Sequence, residues 1–569
     1  MLAELPAWQL LVLAAATGLL WATSLFDWSF VAVRHAFWQF PMGIDMQQVL
    51  AAYYYYVQSP WQLPLFYVSA LGAPTGTNII FTDAVPIAAL AGKLIHSLIG
   101  VIINPYGAFL LLCFILPGVA MTFVLIATRT RYALAAVTGA IFADAMPALL
   151  WRWGDIALEA QFLLIGALAL YLFSLRARCW RGLAAGWIGY LALTYLTNIY
   201  LFAMVGAVWL CAVVQREFAG LTTMREALAT RALTVAAIAV VIALGGQFGA
   251  GGALPFAEYG HYSMNLLSPF VPQGGGVFYG MAEIIDTTGG QYEGFNYLGL
   301  GLLVASVFVL PTEVGWLRHN ARRHTALLIA CAALTAVAVS HRVFLGHWLI
   351  LTLPMPDPLN HLFGIFRSSG RFFWLIGYAQ IAVVVVLAYR RPRPGMALCL
   401  FGAALLQICD VRPLHDHIVD TIAAGRGAEE LDHNEVARLV AGAGMIEVAP
   451  SFQCSASIKQ ISANVQLMLA AARADVPTNT VYMALQSYGL GWWDVLRRPA
   501  RGAEMFEEHR SQYCQREIEQ VRNGGRPDDV FVLLSDRPRL EQIAPGVTCS
   551  RLSWARYCQA HGNDQAGQQ

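Results

Sequence analysis

The feature that most limits what this chain can become is a succession of apolar runs, each long enough to cross a bilayer. They lie near 7–26, 107–128, 132–150, 156–175, 182–197, 199–215, 230–249, 297–316, 325–341, 372–389 and 395–410. A helix needs roughly 17–25 apolar residues to cross. Only helices and closed barrels can satisfy their own backbone in hydrocarbon. Runs this long therefore predict a mainly α, polytopic membrane bundle of about 11 transmembrane helices over residues 1–410. Composition agrees: 57% of residues are hydrophobic and 12% charged, against about 25% charged in ordinary soluble domains. The net charge of +1 offers no basic field for nucleic acid. The first run has no basic n-region and is long for a signal peptide, so it reads as an uncleaved first helix.

The run 84–103, "DAVPIAALAGKLIHSLIG" with its flanks, holds Pro86, Lys93 and His96. Arginine position decides how to read it. Clusters occur at 129–131, 176–181, 216–231, 318–323 and 390–393. Short loops with such clusters stay in the cytoplasm. All five share one side only if 84–103 does not cross, so it reads as an amphipathic interfacial helix. The N-terminus is then cytoplasmic. The first loop 27–106, the loop 250–296 (which has no Lys or Arg) and everything after 410 are exported.

Residues 411–569 change character. Short apolar runs such as "MIEVAP" and "DVFVLLSD", set among polar stretches, predict an exported soluble α/β domain. It holds Cys454, Cys514, Cys549 and Cys558. An even number in an exported domain predicts two disulfides, with three pairings open.

Ionisable residues beside a membrane are costly and mark function. Five groups gather at the exported face. Asp45, in "GIDMQQVLAAYYYYVQSP", heads an expected interfacial helix. It is a candidate general base or a plain N-cap. The four tyrosines behind it suit a membrane interface. Asp83 is expected to cap the 84–103 helix, and Lys93 either snorkels to lipid or meets a phosphate. In "RWGDIALEAQF", Asp155 and Glu159 are spaced i, i+4, with Arg152 a turn earlier. That trio can bind a metal, a sugar or each other. The loop around "YGHYSMNLLSP" and "GGQYEGFNYLG" offers His261, Tyr262, Asn265 and Glu293, aromatic faces and short polar groups that suit a sugar. Finally "NHLFGIFRSSGRFFW" carries His361, with Arg367 and Arg371 spaced i, i+4. Two arginines on one helical face can grip a phosphate bidentately. No Walker A, HExxH, zinc-spaced CxxC pair or G-x-S-x-G is present.

One span, a long exported loop with an early acid, interfacial helices, many further spans and an exported tail: this layout resembles the GT-C superfamily of membrane glycosyltransferases. The resemblance covers most of residues 1–410 and is architectural more than motif-based. It implies a polyprenyl-phosphate sugar donor and transfer at the outer face of the bacterial inner membrane. The acceptor would be a glycan, lipid or protein hydroxyl, with membrane lipids as the other partners. Asp45 matches the position of the family's first-loop catalytic acid. Arg367 and Arg371, with Arg152 or Lys93, would hold the donor phosphate. Asp83, Asp155, Glu159, His261, Tyr262, Asn265, Glu293 and His361 would line the sugar and acceptor pocket. Many members carry a paired acid in the first loop, whereas Asp45 stands alone. No cofactor is required on this reading, and a divalent metal is doubtful. A transporter or flippase of lipid-linked glycans is the alternative, although no internal repeat of the kind such carriers show is present. A third reading is a scaffold whose tail does the work.

Overall fold

The computed structural model describes residues 4–39, 41–177, 179–247, 259–277, 285–390, 393–425, 431–482, 502–522, 529–534, 547–552 and 555–560. The chain divides into two compact units. One comprises 1–34, 106–241 and 257–423; the other 35–105, 242–256 and 424–569.

The first unit is helical. Among the described residues eight helices are long and apolar enough to cross a membrane, and a ninth is the pair Pro394–Asp410 and Arg412–Ala423, bent by 44°. The chain is a multi-pass membrane protein. The sequence reading of 11 differs at two places. Trp180–Tyr195 is a 16-residue helix, just under a full span. Leu300–Val339 is one 40-residue helical run. At 1.5 Å per residue it measures about 60 Å, twice a bilayer core. It is broken by 3₁₀ turns at Leu310–Glu313 and Arg322–His324, where the arginines cluster.

Buried polar residues join these helices. Asp410, fully buried, accepts from the Tyr297 hydroxyl at 2.8 Å and from the Leu300 amide at 2.9 Å. It thereby satisfies an otherwise orphan donor at the start of the helix Leu300–Val309. Gln407, one turn earlier, accepts from the Leu302 amide and donates to the Leu298 carbonyl. Gly301 allows this approach, since a Cβ there would stand 2.1 Å from the Ala403 carbonyl oxygen.

The second unit brings the first loop and the tail together. A four-stranded sheet runs in the order Met445–Ala449, Asp529–Leu533, Arg556–Ala560, Val547–Arg551; the first pair is parallel and the others antiparallel. Val436, Leu439, Ile446, Val448, Leu467 and Val532 form its core with the helices His433–Val440 and Ile458–Arg473. Cys454 is bonded to Cys514. Cys558 is disulfide-bonded, and Cys549 stands opposite it in register; the Cys549 side chain lies outside the described residues.

The first loop joins this unit through its tyrosine helix, Ile44–Gln58, which packs on Ile458–Arg473. Tyr53, Tyr55 and Tyr56 are buried in protein rather than spread along a membrane interface. The Tyr53 hydroxyl donates to the Ile103 carbonyl, and that of Tyr55 to Val476 at 2.5 Å. Gln58 donates to the Ala472 carbonyl at 2.8 Å. Thr478 bridges Leu71 on one side and Ile446 on the other. The run 84–103 forms a helix only over Pro86–Ile99. Its 14 residues reach about 21 Å, short of the ~30 Å core.

Candidate active site

The span Ala133–Leu150 ends in a tight turn that carries Trp151 and Arg152. The Trp151 ring stacks on Phe295, centroids 4.4 Å apart, and its indole N–H donates to the Tyr292 carbonyl. Arg152 is almost fully buried. Its Nη1 donates to Glu293 Oε2 at 2.7 Å and to Asp155 Oδ2 at 3.3 Å, and its Nη2 to the Tyr292 carbonyl at 3.1 Å. From the far side Arg371 donates to the same Glu293 oxygen, through Nη2 at 2.7 Å and Nε at 3.2 Å. Two guanidiniums thus converge on one carboxylate oxygen.

Glycine makes this convergence possible. Glu293 lies in the 3₁₀ turn Gln291–Gly294, and Arg371 in the 3₁₀ turn Ser369–Phe373. The two turns touch: a Cβ on Gly370 would stand 2.5 Å from the Gly294 Cα. Asn296, fully buried, ties them together by donating to the carbonyls of Gly294 and Gly370, each at 2.9 Å. The Gly370 amide donates to the Tyr262 carbonyl at 3.1 Å. Tyr200 supports Arg371, with the guanidinium 4.8 Å from its ring centroid.

Burial opposes ionisation of Glu293, but Arg371 and then Arg152, with Arg367, outweigh it and hold its carboxyl at about 2. Asp155 shifts the other way: burial raises it, and Arg152 only partly offsets this. Glu159 is fully buried, and among the described residues neither carboxyl oxygen has a hydrogen-bond partner. The Arg152 Nε is likewise unpartnered. Among the described residues no three His, Cys, Asp or Glu side chains are grouped so as to hold a metal ion.

The residues singled out in the sequence fall into distinct places. Arg152, Asp155, Glu293 and Arg371 come together in the first unit. Arg367 lies nearby, its guanidinium 5.7 Å from the Tyr262 ring centroid. Two spacing arguments need correction. Asp155 and Glu159 flank the 3₁₀ turn Ile156–Leu158 and do not share an α-helical face. The helix Asp357–Gly364 stops before Arg367, so the two arginines do not share a helix either. His261 packs edge-on against Tyr262 at 4.5 Å. Asn265 is engaged elsewhere: it donates to the Gly346 carbonyl at 2.8 Å and accepts from the Gly346 amide at 3.0 Å. The His361 side chain lies outside the described residues.

Asp45, Asp83 and Lys93 belong to the second unit. Asp45 is the second residue of the helix Ile44–Gln58, whose N-cap is Gly43 with φ +91°, so the capping role falls to glycine. Asp83 is not the expected cap either. It sits in the left-handed region at φ +54° behind the 3₁₀ turn Ile79–Thr82, and Val85 is the N-cap of Pro86–Ile99. Lys93 is buried. Its ammonium donates to Ser59 Oγ at 2.9 Å and the Pro60 carbonyl at 3.2 Å, 4.2 Å from the Tyr56 ring centroid. Burial lowers it to about 8. Its donors are therefore spent within the protein rather than offered to lipid. Tyr200, Tyr292 and Asn296 escaped the sequence reading; Asn296 was visible only as one polar residue inside "YEGFNYLG".

On the first unit an apolar groove of about 340 Å³ is lined by Leu116, Phe123, Phe162, Leu170, Phe173 and Leu193.

These features define a polytopic membrane protein with a buried arginine–carboxylate cluster beside the ends of its spans. The chain belongs to the family described as DUF6311, a domain of unknown function, whose match spans residues 15–412. No curated protein matches it. Among solved structures it is similar to ArnT from Cupriavidus metallidurans bound to undecaprenyl phosphate, at 12% identity and a TM-score of 0.43 over 99% of this chain and 100% of that one. It is also similar to the archaeal oligosaccharyltransferase AglB from Archaeoglobus fulgidus, solved with an inhibitory peptide and a dolichol-phosphate. There the identity is 12% and the TM-score 0.44, over 93% of this chain and 69% of that one.

Proposed function

We propose that this protein is a membrane glycosyltransferase of the GT-C type, moving a sugar from a polyprenyl-phosphate donor to an acceptor hydroxyl at the outer face of the inner membrane. The observation that carries the reading is the convergence of Arg152 and Arg371 on Glu293 Oε2. A site that holds one anionic oxygen between two guanidiniums has the charge and fork geometry that a donor phosphate needs. The apolar groove supplies a surface for a hydrocarbon tail.

In this mechanism the donor phosphate displaces Glu293 from Arg371 and Arg152, and Arg367 adds a third positive charge. As the bond from the anomeric carbon to the phosphate oxygen breaks, negative charge grows on the phosphate, and the arginines stabilise it. Asp45 takes the proton of the acceptor hydroxyl, whose oxygen bonds to the anomeric carbon, with inversion as the simplest course. The Asp45 role rests on the sequence layout alone. A carrier of lipid-linked glycans is the second reading; it keeps the phosphate site and dispenses with the base.

The test is direct. Purified protein is offered synthetic polyprenyl-phosphate sugars and simple acceptor glycosides. Release of polyprenyl phosphate that Arg371→Ala and Asp45→Asn each abolish, with fold intact, is the expected result. Full transfer by Asp45→Asn would remove the base. Binding without any transfer across the donor panel would favour the carrier.

A further inference from the structure

The chain between the span ending at Val339 and that beginning at Ser369 contains a β-hairpin, Arg342–Leu345 paired with Trp348–Thr352. A half-buried hairpin alternates apolar and polar side chains. The outer strand of this one does not. It reads WLILT, and every residue is exposed, Trp348 at 75%, Leu349 at 49%, Ile350 at 55% and Leu351 at 47%. The register shifts at Ile350: Leu349 pairs with Phe344 and Leu351 with the adjacent Val343, so Leu349 points to one face and Trp348 and Leu351 to the other, because side chains alternate along the regular partner strand. Leu353 and Pro354 continue the exposed run.

The fold fixes where this strand sits. The Leu353 amide donates to the His341 carbonyl at 2.8 Å, which closes the hairpin two residues beyond the helix Thr325–Val339. Asn265 grips the turn at Gly346 from both sides, and the Thr287 hydroxyl donates to the same carbonyl at 3.0 Å. The Leu266 amide donates to the Phe344 carbonyl. The hairpin is therefore held at the level where the helix ends. That helix fully buries only Ala338 and Val339, so much of its apolar surface is left uncovered among the described residues, and the hairpin continues that surface.

We infer that the hairpin is a membrane-surface element, its outer strand lying in the interface between head groups and acyl chains. Two apolar faces on one strand point to lipid as the occupant. A strand added by a peptide would cover the open edge, and a second copy of the chain would cover one face; each leaves apolar side chains in water. Lipid surrounds both faces at once. The depth is limited as well. Among the described residues the outer edge pairs with no further strand; such edge N–H and C=O groups cannot enter the hydrocarbon core, and Trp348 favours the interface. Arg342, exposed at the base of the hairpin, suits the head groups.

The test uses full-length protein in vesicles of equal parts phosphatidylethanolamine and phosphatidylglycerol, with the exposed Cys179, Cys399 and Cys409 changed to Ser. A spin label is placed at Leu349→Cys or Leu351→Cys, one on each face, with Ala437→Cys as the water-exposed control. Expected is access for oxygen with at least fivefold exclusion of a nickel chelate at both positions, relative to the control. Nickel access equal to the control at either position overturns the proposal by placing that face in water. Exclusion of both reagents overturns it by showing a protein cover. A second measurement spares the fold: Trp348→Phe should remove part of the fluorescence quenched by lipid brominated on its acyl chains. Equal quenching with and without Trp348 overturns the proposal too.

Discussion

Gly370 and Gly294 pack backbone to backbone, so that a Cβ on Gly370 would stand 2.5 Å from the Gly294 Cα. This contact sets Arg371 beside Glu293. The neighbour is backbone, which cannot rotate away as a side chain could. Gly370→Ala should destabilise the protein by about 1–3 kcal/mol, the usual cost of overpacking. It should also weaken donor-phosphate binding more than Ser368→Ala does. Thermal unfolding and a lipid-phosphate binding assay check both.

Glu293 occupies the arginines that the proposed phosphate needs. Glu293→Gln should therefore tighten polyprenyl-phosphate binding, by about tenfold if the exchange is worth ~1.4 kcal/mol. Arg371→Lys keeps the charge but loses the fork, and should weaken binding instead. Calorimetry on the three proteins decides; weaker binding by Glu293→Gln would make that carboxylate a structural strut.

The same carboxylate gives a pH signature. Its folded-state value of about 2 lies below the ordinary 4.5. A depressed acid stabilises the fold fully above the unfolded value and loses that contribution as pH falls. The stability gap between wild type and Glu293→Gln should hold above about pH 5 and close between there and pH 2. Melting curves across that range test it.

The second unit should respond in the opposite sense. Burial pushes Glu517 up to about 7, and burial with Asp529 does the same to Glu447. A raised acid stabilises the fold below its unfolded value and loses that contribution as pH rises through the folded one. Stability of this unit should fall between about pH 4.5 and 7, and Glu517→Gln should flatten the slope. Hydrogen exchange in Met445–Ala449 and Asp529–Leu533 reports it.

Cys454 and Cys514 close a loop with a sequence separation of 60. Chain entropy puts such a link at about 4 kcal/mol. Reduction should lower the melting temperature of wild type and leave a Cys454→Ser, Cys514→Ser double variant less affected.

The membrane helices were legible because apolar length is a one-dimensional property. The arginine clusters also fell where the 40-residue run breaks. Arg152, Asp155, Glu293 and Arg371 could be chosen as costly polar residues in an apolar chain. Their arrangement could not be read, because 3₁₀ turns replace the α-helical faces that the i, i+4 spacings suggested. Glu293 meets Arg152 across 141 residues of sequence, and no local pattern encodes that distance. The tyrosines misled for a related reason. A phenol suits a membrane interface and a protein interface equally, and only the distant Ile103 and Val476 carbonyls decide between them.

The pairing of the tyrosine helix with Ile458–Arg473 also sets an order of events in synthesis. Residues 44–58 emerge early, yet the helix that buries them is made some 400 residues later, after every span between them. Until then Tyr55, Gln58 and the Ala70–Ala73 segment, later held by Val476, Ala472 and Thr478, lack those native partners. Chains truncated before residue 445 should therefore depend on chaperones at the membrane surface even when all their spans have inserted. The tail completes a structure that the first loop leaves half built.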